Sequence, residues 1–254
     1  MIPIKSPAEA EKMRCSCRVV RGILDEVVTR VAPGMTTRDI DQMAADLIRQ
    51  AGARSAFLGY RKFPGNICIS VNEEVVHGIG GPRRINYGDV VKLDIGIFLD
   101  GWVGDTATTV AVGIVDPAIE RLLRTTEESL FCGIAQALPG NRLHDIGNAI
   151  YQRVAREGYS VVREFVGHGV GRKLHEEPQV PNYGKPGTGP KLKPGMVLAI
   201  EPMVNMGRAD VRILADGWTV VTADGRPSAH FEHTVLITED QPEILTMREI
   251  SASR

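Results

Sequence analysis

The sequence predicts an α/β fold (α+β in its segregation of elements) built from two related halves that share one sheet. Three observations lead there. A proline-glycine turn that runs into a helix ending in glycine occurs twice, as "PGMTTRDIDQMAADLIRQAG" at 33–52 and "PGNRLHDIGNAIYQRVAREG" at 139–158. An apolar strand carrying one acid also occurs twice, as "YGDVVKLDI" at 87–95 and "PGMVLAIEP" at 194–202. After each comes Asp-Gly-Trp, at 100–102 and 216–218, and then a second acid-bearing strand. Any one match is weak, because turns reuse proline and glycine everywhere. The same events in the same order are harder to dismiss. No linker-like stretch parts the halves, so one domain is expected over 1–254, with its halves at approximately 33–115 and 139–240.

The elements follow in order. Ser6, Pro7 and Glu9 form a capping box that starts a helix reaching about Val31. A threonine of the Thr-Thr pair at 36–37 caps the next helix, and Gly52 ends it. "NICISV" at 66–71 reads as a strand, followed by a glycine-rich loop at His77. "GDVVKLDIGIFLDGW" and "DTATTVAVG" form a hairpin through the Asp100-Gly101 turn. Asp116-Pro117 starts a helix to about Leu138. The second half then repeats the plan, with "GHGVG" at 167–171 in place of "HGIG" at 77–80, and Glu232 in "FEHTVLI" against Asp105 in "GDTATTV".

Composition removes several function classes. The chain has 254 residues, 30 basic and 31 acidic, which offers no electrostatic case for nucleic acid or an anionic membrane. Its four cysteines fit neither a zinc ribbon nor a disulfide scaffold. Reduced thiols and a cytoplasmic location are expected. The N-terminal stretch has no apolar core of signal-peptide length, and no apolar run approaches a membrane span.

Chemistry is suggested by the acids. Asp94 lies in "VVKLDIGIF", where Asp is disfavoured and rarely buried without a partner. A two-residue turn puts Asp105 opposite Gly96, so Asp94 is its diagonal neighbour on one face, with space left by Gly96. Glu201 and Glu232 repeat the puzzle in the second half. Singly, each would be read as a solvated turn residue. Together they would cost several kcal/mol per unpaired buried ion. A bound cation is one solution, with His168 as a nitrogen ligand. Such an oxygen-rich site suits Mn, Fe, Co or Zn. Lys191 and Lys193 read as solvated surface, and Cys15 and Cys17 as packing residues.

These motifs make the sequence similar to the type I methionine aminopeptidases. The stretches "NICISVNEEVVHGI", "LDIGIFLDGWVGDT", "GHGVGRKLHEEPQVPNYG", "LKPGMVLAIEPM" and "AHFEHTVLIT" carry the resemblance over nearly the whole chain. It implies the pita-bread fold, with a curved, mainly antiparallel sheet and helices on its outer face. It also implies two divalent metal ions, with Co, Mn, Fe(II), Zn and Ni as candidates. Their ligands would be Asp94, Asp105, His168, Glu201 and Glu232, of which Asp105 and Glu232 would bridge.

The implied reaction removes N-terminal methionine from peptides and nascent chains ahead of a small second residue. Hydroxide generated between the ions would attack the first peptide bond. Glu201 would take up a proton, His175 would stabilise the oxyanion, and His77 would contact the scissile amide nitrogen. Phe57, Tyr60, Phe63, Cys68, His77, Leu174 and Trp218 would form the methionine pocket. The chain departs from better-known members at Phe57, where Cys is usual, at Leu174, where Phe is usual, and at Val76. A large residue gained on one wall and lost on another would preserve pocket volume. A monomer acting near the ribosome is the family expectation. Two rival readings remain: a prolidase or Xaa-Pro aminopeptidase, which shares the ligands, and a non-catalytic pita-bread binding protein, which would have lost them.

Overall fold

The computed structural model describes residues 1–248; the remainder of the domain expected over 1–254 lies outside the described residues. Helix α1 (Pro7–Arg30) begins where Ser6 Oγ accepts the Glu9 N–H and Glu9 Oε2 accepts the Ser6 N–H. Its buried stripe, Met13, Cys17, Val20, Leu24 and Val27, follows the helical period. Helix α2 (Thr37–Gln50) uses the same device, with Asp39 accepting the Thr36 N–H. Helix α3 (Pro117–Ile134) starts at its Asp116 cap. It ends four residues before the expected Leu138. Leu138 precedes Pro139, and a residue before proline is pushed out of the helical region. The chain instead closes two tight turns, Gln136 N–H to Gly133 O and Ala137 N–H to Ile134 O. Helix α4 (Leu143–Ala155) again begins with an acid, Asp145, accepting a backbone N–H from Arg142. Gly52 and Gly158 follow α2 and α4 with φ of +69° and +76°, a conformation that favours glycine.

The first half is organised on one hairpin of two ten-residue strands, Val90–Leu99 and Trp102–Ala111. Its turn holds Asp100 and Gly101 at φ of +49° and +79°, which matches the twist of paired strands. Asp105 lies opposite Gly96, and Asp94 opposite Ala107, as the turn parity predicts. The space beside Gly96 is filled differently from expectation. A Cβ there would sit 2.4 Å from the Phe57 ring, so the glycine makes room for Phe57 rather than for the acids.

The second half is interrupted where the first is continuous. Val197–Ile200 pairs with His233–Leu236, and Met203–Asn205 pairs with Ser228–His230. Between them the ladder breaks at Glu201-Pro202 and Phe231-Glu232. Pro202 has no N–H to offer a ladder. The strand pairs are antiparallel and fall into four sheets rather than one unbroken sheet. An isolated bridge between Ala107 and Glu232 joins the hairpin to the second half. Reciprocal bonds flank it: Thr106 Oγ1 donates to Glu232 O at 3.0 Å, and Thr234 Oγ1 donates to Asp105 O at 2.7 Å. Each half has its own buried apolar cluster, and a third lies around the cavity described below.

The ladder also corrects the pairing of "HGIG" with "HGVG". His168 is opposite Ala199, and the first-half counterpart of Ala199 is Lys92, which is opposite Ser70. His168 therefore stands at the strand position of Ser70. His77 lies beyond the strand Glu74–Val76, with φ of +61°. The two tetrapeptides are similar in sequence and different in place. No helix among the described residues is long and apolar enough to cross a membrane.

Candidate metal centre and substrate cavity

The four acids meet where the halves join. Single donor atoms of Asp105, His168 and Glu232 lie within 4.8 Å of one another. Glu201 Oε1 is 3.6 Å from His168 Nε2, and Asp105 Oδ2 is 3.8 Å from it. Asp94 lines the same cavity beside them. Three of these carboxylates keep a buried oxygen with no hydrogen-bond partner: Asp94 Oδ1, Asp105 Oδ1 and Glu232 Oε1.

Electrostatics make the cluster unstable alone. Burial pushes the Asp94 carboxyl up to about 7 and Glu201 up to about 8. Burial also raises Asp105 and Glu232, and their acidic neighbours add to the shift. His168 is no counter-ion, because burial and the neighbouring His175 lower it to about 3. Its contacts with Asp105 and Glu201 are those of a neutral imidazole. The tautomer is set by the next residue. His168 Nδ1 lies 2.9 Å from Gly169 O, so Nδ1 carries the proton and Nε2 keeps its lone pair towards the acids. Orphaned carboxylate oxygens and one bare imidazole nitrogen form a donor set that fits divalent transition ions.

A cavity of about 300 Å³ opens beside the acids. Every site residue expected from sequence lines it: Phe57, Tyr60, Phe63, Cys68, His77, Asp94, Asp105, His168, Leu174, His175, Glu201, Trp218 and Glu232. Aromatic contacts give the wall its shape. Trp218 meets Phe63 edge-on at 5.1 Å, and His77 meets Phe165 and Trp218 edge-on at 5.3 and 6.2 Å. The Asp216-Gly217 turn holds Trp218, whose N–H reaches Asp216 Oδ1 at 2.8 Å. Phe57 and Leu174, the two departures from the family pattern, are both buried in this wall.

His175 stacks on Tyr60, and its Nδ1 lies 2.9 Å from the Tyr60 hydroxyl. Burial, helped by the nearby Arg61 cation, lowers His175 to about 4. His77 is lowered to about 4, chiefly by burial. Both imidazoles are neutral near pH 7.

Sequence reading missed several lining residues. Arg61, Glu164, Phe165, Val166, Gln179 and Met203 also border the cavity. Their signal was adjacency: Phe165 and Val166 precede "GHGVG", and Met203 follows Glu201-Pro202. It also missed His230, whose Nε2 is 3.3 Å from Glu201 Oε2.

Known proteins resemble this chain over nearly its whole length. The model of metallopeptidase family M24 matches residues 11–239. The chain is 52% identical to methionine aminopeptidase 1 of Bacillus subtilis, over 97% of this chain and 99% of the relative. It superposes on the crystal structure of a methionine aminopeptidase from Thermotoga maritima with a TM-score of 0.96 and 46% identity, covering 98% of this chain and all of that one. A prolidase from Pyrococcus horikoshii shares the fold at a TM-score of 0.77 but only 22% identity, and this chain covers 65% of it.

Proposed function

The chain belongs to metallopeptidase family M24, and from that premise we propose that it removes the N-terminal methionine from peptides and nascent chains, preferring a small second residue. One observation carries the reading: four desolvated carboxylates and a bare imidazole nitrogen converge beside an apolar cavity of about 300 Å³. That volume is at the small end of ligand pockets and suits one side chain with the bond next to it. The proposal places the whole chain in one catalytic domain, with halves at approximately 33–115 and 139–240. The bonds between Thr106, Glu232, Thr234 and Asp105 support it.

Asp94, Asp105, His168, Glu201 and Glu232 would hold the metal, and the motif resemblance supports two ions. A divalent ion bound there supplies Lewis acidity, which lowers the pKa of water and polarises a carbonyl. The remaining chemistry belongs to side chains. Phe57, Phe63, Cys68, Leu174 and Trp218 take the methionine side chain and exclude water from it. Glu201, whose burial favours its protonated form, accepts a proton on its carboxylate. With its Nδ1 accepting from the Tyr60 hydroxyl, His175 presents Nε2–H as a donor to developing negative charge on the scissile carbonyl. Its neutrality down to about pH 4 keeps that tautomer available. By the family resemblance, His77 contacts the scissile amide nitrogen. The family resemblance supports action on nascent chains near the ribosome, by a monomer in the cytoplasm.

The test is hydrolysis of Met-Ala-Ser and of Xaa-Pro peptides after chelation and resupply of Mn, Fe(II), Co, Zn or Ni. Methionine release that depends on added metal is expected. Cleavage confined to Xaa-Pro peptides would move the assignment to the prolidase branch. No turnover with any ion would favour the non-catalytic reading.

A further inference from the structure

His230 has no part in the reaction outlined above and does not line the cavity, yet it stands directly behind Glu201. It is 1% exposed, and its Nε2 has no hydrogen-bond partner among the described residues. The nearest acidic atom to that nitrogen is Glu201 Oε2 at 3.3 Å. The backbone of His230 is fixed from the other half of the molecule. Thr109 Oγ1 donates to His230 O at 2.6 Å and accepts the His230 N–H at 2.9 Å. The ladder pairs His230 with Met203, two residues beyond Glu201. The imidazole and the carboxylate thus face each other across the interrupted part of the second half.

Glu201 is flanked by two imidazoles, one on each oxygen. His168 Nε2 lies 3.6 Å from Oε1, and His230 Nε2 lies 3.3 Å from Oε2. The two rings are not equivalent. The Gly169 carbonyl holds the proton of His168 on Nδ1, so its Nε2 offers a lone pair. With Glu201 ionised, as a ligating carboxylate is, the neighbour of His230 Nε2 is an acceptor, which selects the Nε2–H form.

We infer that His230 is a positioning residue of this centre: its unpartnered Nε2, 3.3 Å from Glu201 Oε2, closes a hydrogen bond to that oxygen when an ion is bound, and so leaves Oε1, the oxygen beside His168, as the one offered to the ion. The inference rests on reading the site as a metal centre. A donor behind a ligating carboxylate fixes the orientation of that ligand, and removing such partners typically costs about 10–100-fold in metal affinity.

The experiment compares the full chain with His230→Phe, which keeps a ring and loses the donor, and with His230→Gln, which restores an N–H. Each protein is stripped of metal, checked for folding by circular dichroism, and titrated with manganese chloride by calorimetry. We expect the tighter site of His230→Phe to weaken by about 10–100-fold, with most of the loss recovered in His230→Gln. Wild-type affinity in His230→Phe overturns the inference alone. No manganese binding by the unmodified protein overturns the metal-centre reading first, so the two failures are distinguishable. Should His230→Phe not fold, the ¹⁵N spectrum of the unmodified zinc-loaded protein decides: an Nε2-protonated neutral ring is expected, and an Nδ1-protonated ring refutes the inference. X-ray absorption of the manganese-loaded protein that counts two imidazole nitrogens on one ion refutes it too, because His230 would then be a ligand.

Discussion

The two halves solve one problem in opposite ways. In the first, Asp94 and Asp105 sit within an uninterrupted hairpin, on strands whose register a two-residue turn dictates. In the second, Glu201 and Glu232 sit at breaks in the ladder, between strands of three or four residues. A continuous ladder satisfies its own backbone and needs no outside help to place an acid. A broken ladder exposes backbone groups, and partners from elsewhere must satisfy them. Ala107 O takes the Glu232 N–H, the Thr106 hydroxyl takes the Glu232 carbonyl, and Asn182 Nδ2 takes the Glu201 carbonyl. The hairpin acts as the template, and the second half is completed against it.

The largest expected effect breaks the template itself. Asp105→Asn keeps the shape and removes a charge from the first half. Hydrolysis of Met-Ala-Ser should fall by more than about 100-fold, beyond the loss typical of an outer partner. Glu232→Gln in the second half should match it, since the two acids face each other. An Asp105→Asn protein with full turnover would remove the centre from where the halves join.

Metal-free stability tests the cluster as a whole. The folded pKa values of Asp94 and Glu201 are raised to about 7 and about 8, against about 4 in the unfolded chain. Over that interval the folded protein binds more protons than the unfolded one, so stability is lost as pH rises. The depressed histidines act in the other direction: their contribution is lost as pH falls below about 6.5. In the window from about pH 6.5 to 8 the four raised acids outnumber the buried group that opposes them there, Lys92, whose ammonium burial lowers to about 7. The melting temperature of chelated protein should fall across it, and saturating manganese should abolish the fall. A flat profile without metal would mean that the acids are solvated rather than buried.

A smaller change separates packing from template. Gly96→Ala places a methyl against the Phe57 ring and should destabilise by about 1–3 kcal/mol in urea unfolding. Combined with Phe57→Leu, its cost should be less than the sum of the single changes, because the two side chains compete for one space. Strict additivity would place Phe57 elsewhere.

The finest test compares the reciprocal bonds between halves. Thr106→Val strands the Glu232 carbonyl, and Thr234→Val strands the Asp105 carbonyl. Each should cost about 1–3 kcal/mol, the penalty for a buried unsatisfied acceptor. A clearly larger cost for Thr106→Val, which supports the broken ladder, would sharpen the view that the second half depends on the first.

Much of this was legible in the residues, for reasons that differ along the chain. Capping boxes at Ser6 and Thr36 and the turn at Asp100-Gly101 are local, so short stretches dictate them. Turn parity alone placed Asp105 opposite Gly96. The end of α3 was misjudged because Pro139 acts on the residue before it. The likeness of "HGIG" and "HGVG" misled in detail, because a tetrapeptide carries no information about the strand it faces.

What the sequence determined by itself is therefore the local frame: the helices, the hairpin register, and an inventory of acids too costly to bury alone. What only the tertiary structure decided is which groups those acids meet. That Gly96 makes room for Phe57, that His168 occupies the strand position of Ser70, and that His230 stands behind Glu201 all depend on contacts between distant segments. The physical reason is the range of the forces. Caps and turns close over a few residues. The pairing of an imidazole with a carboxylate is set by whichever surfaces the two halves bury against each other.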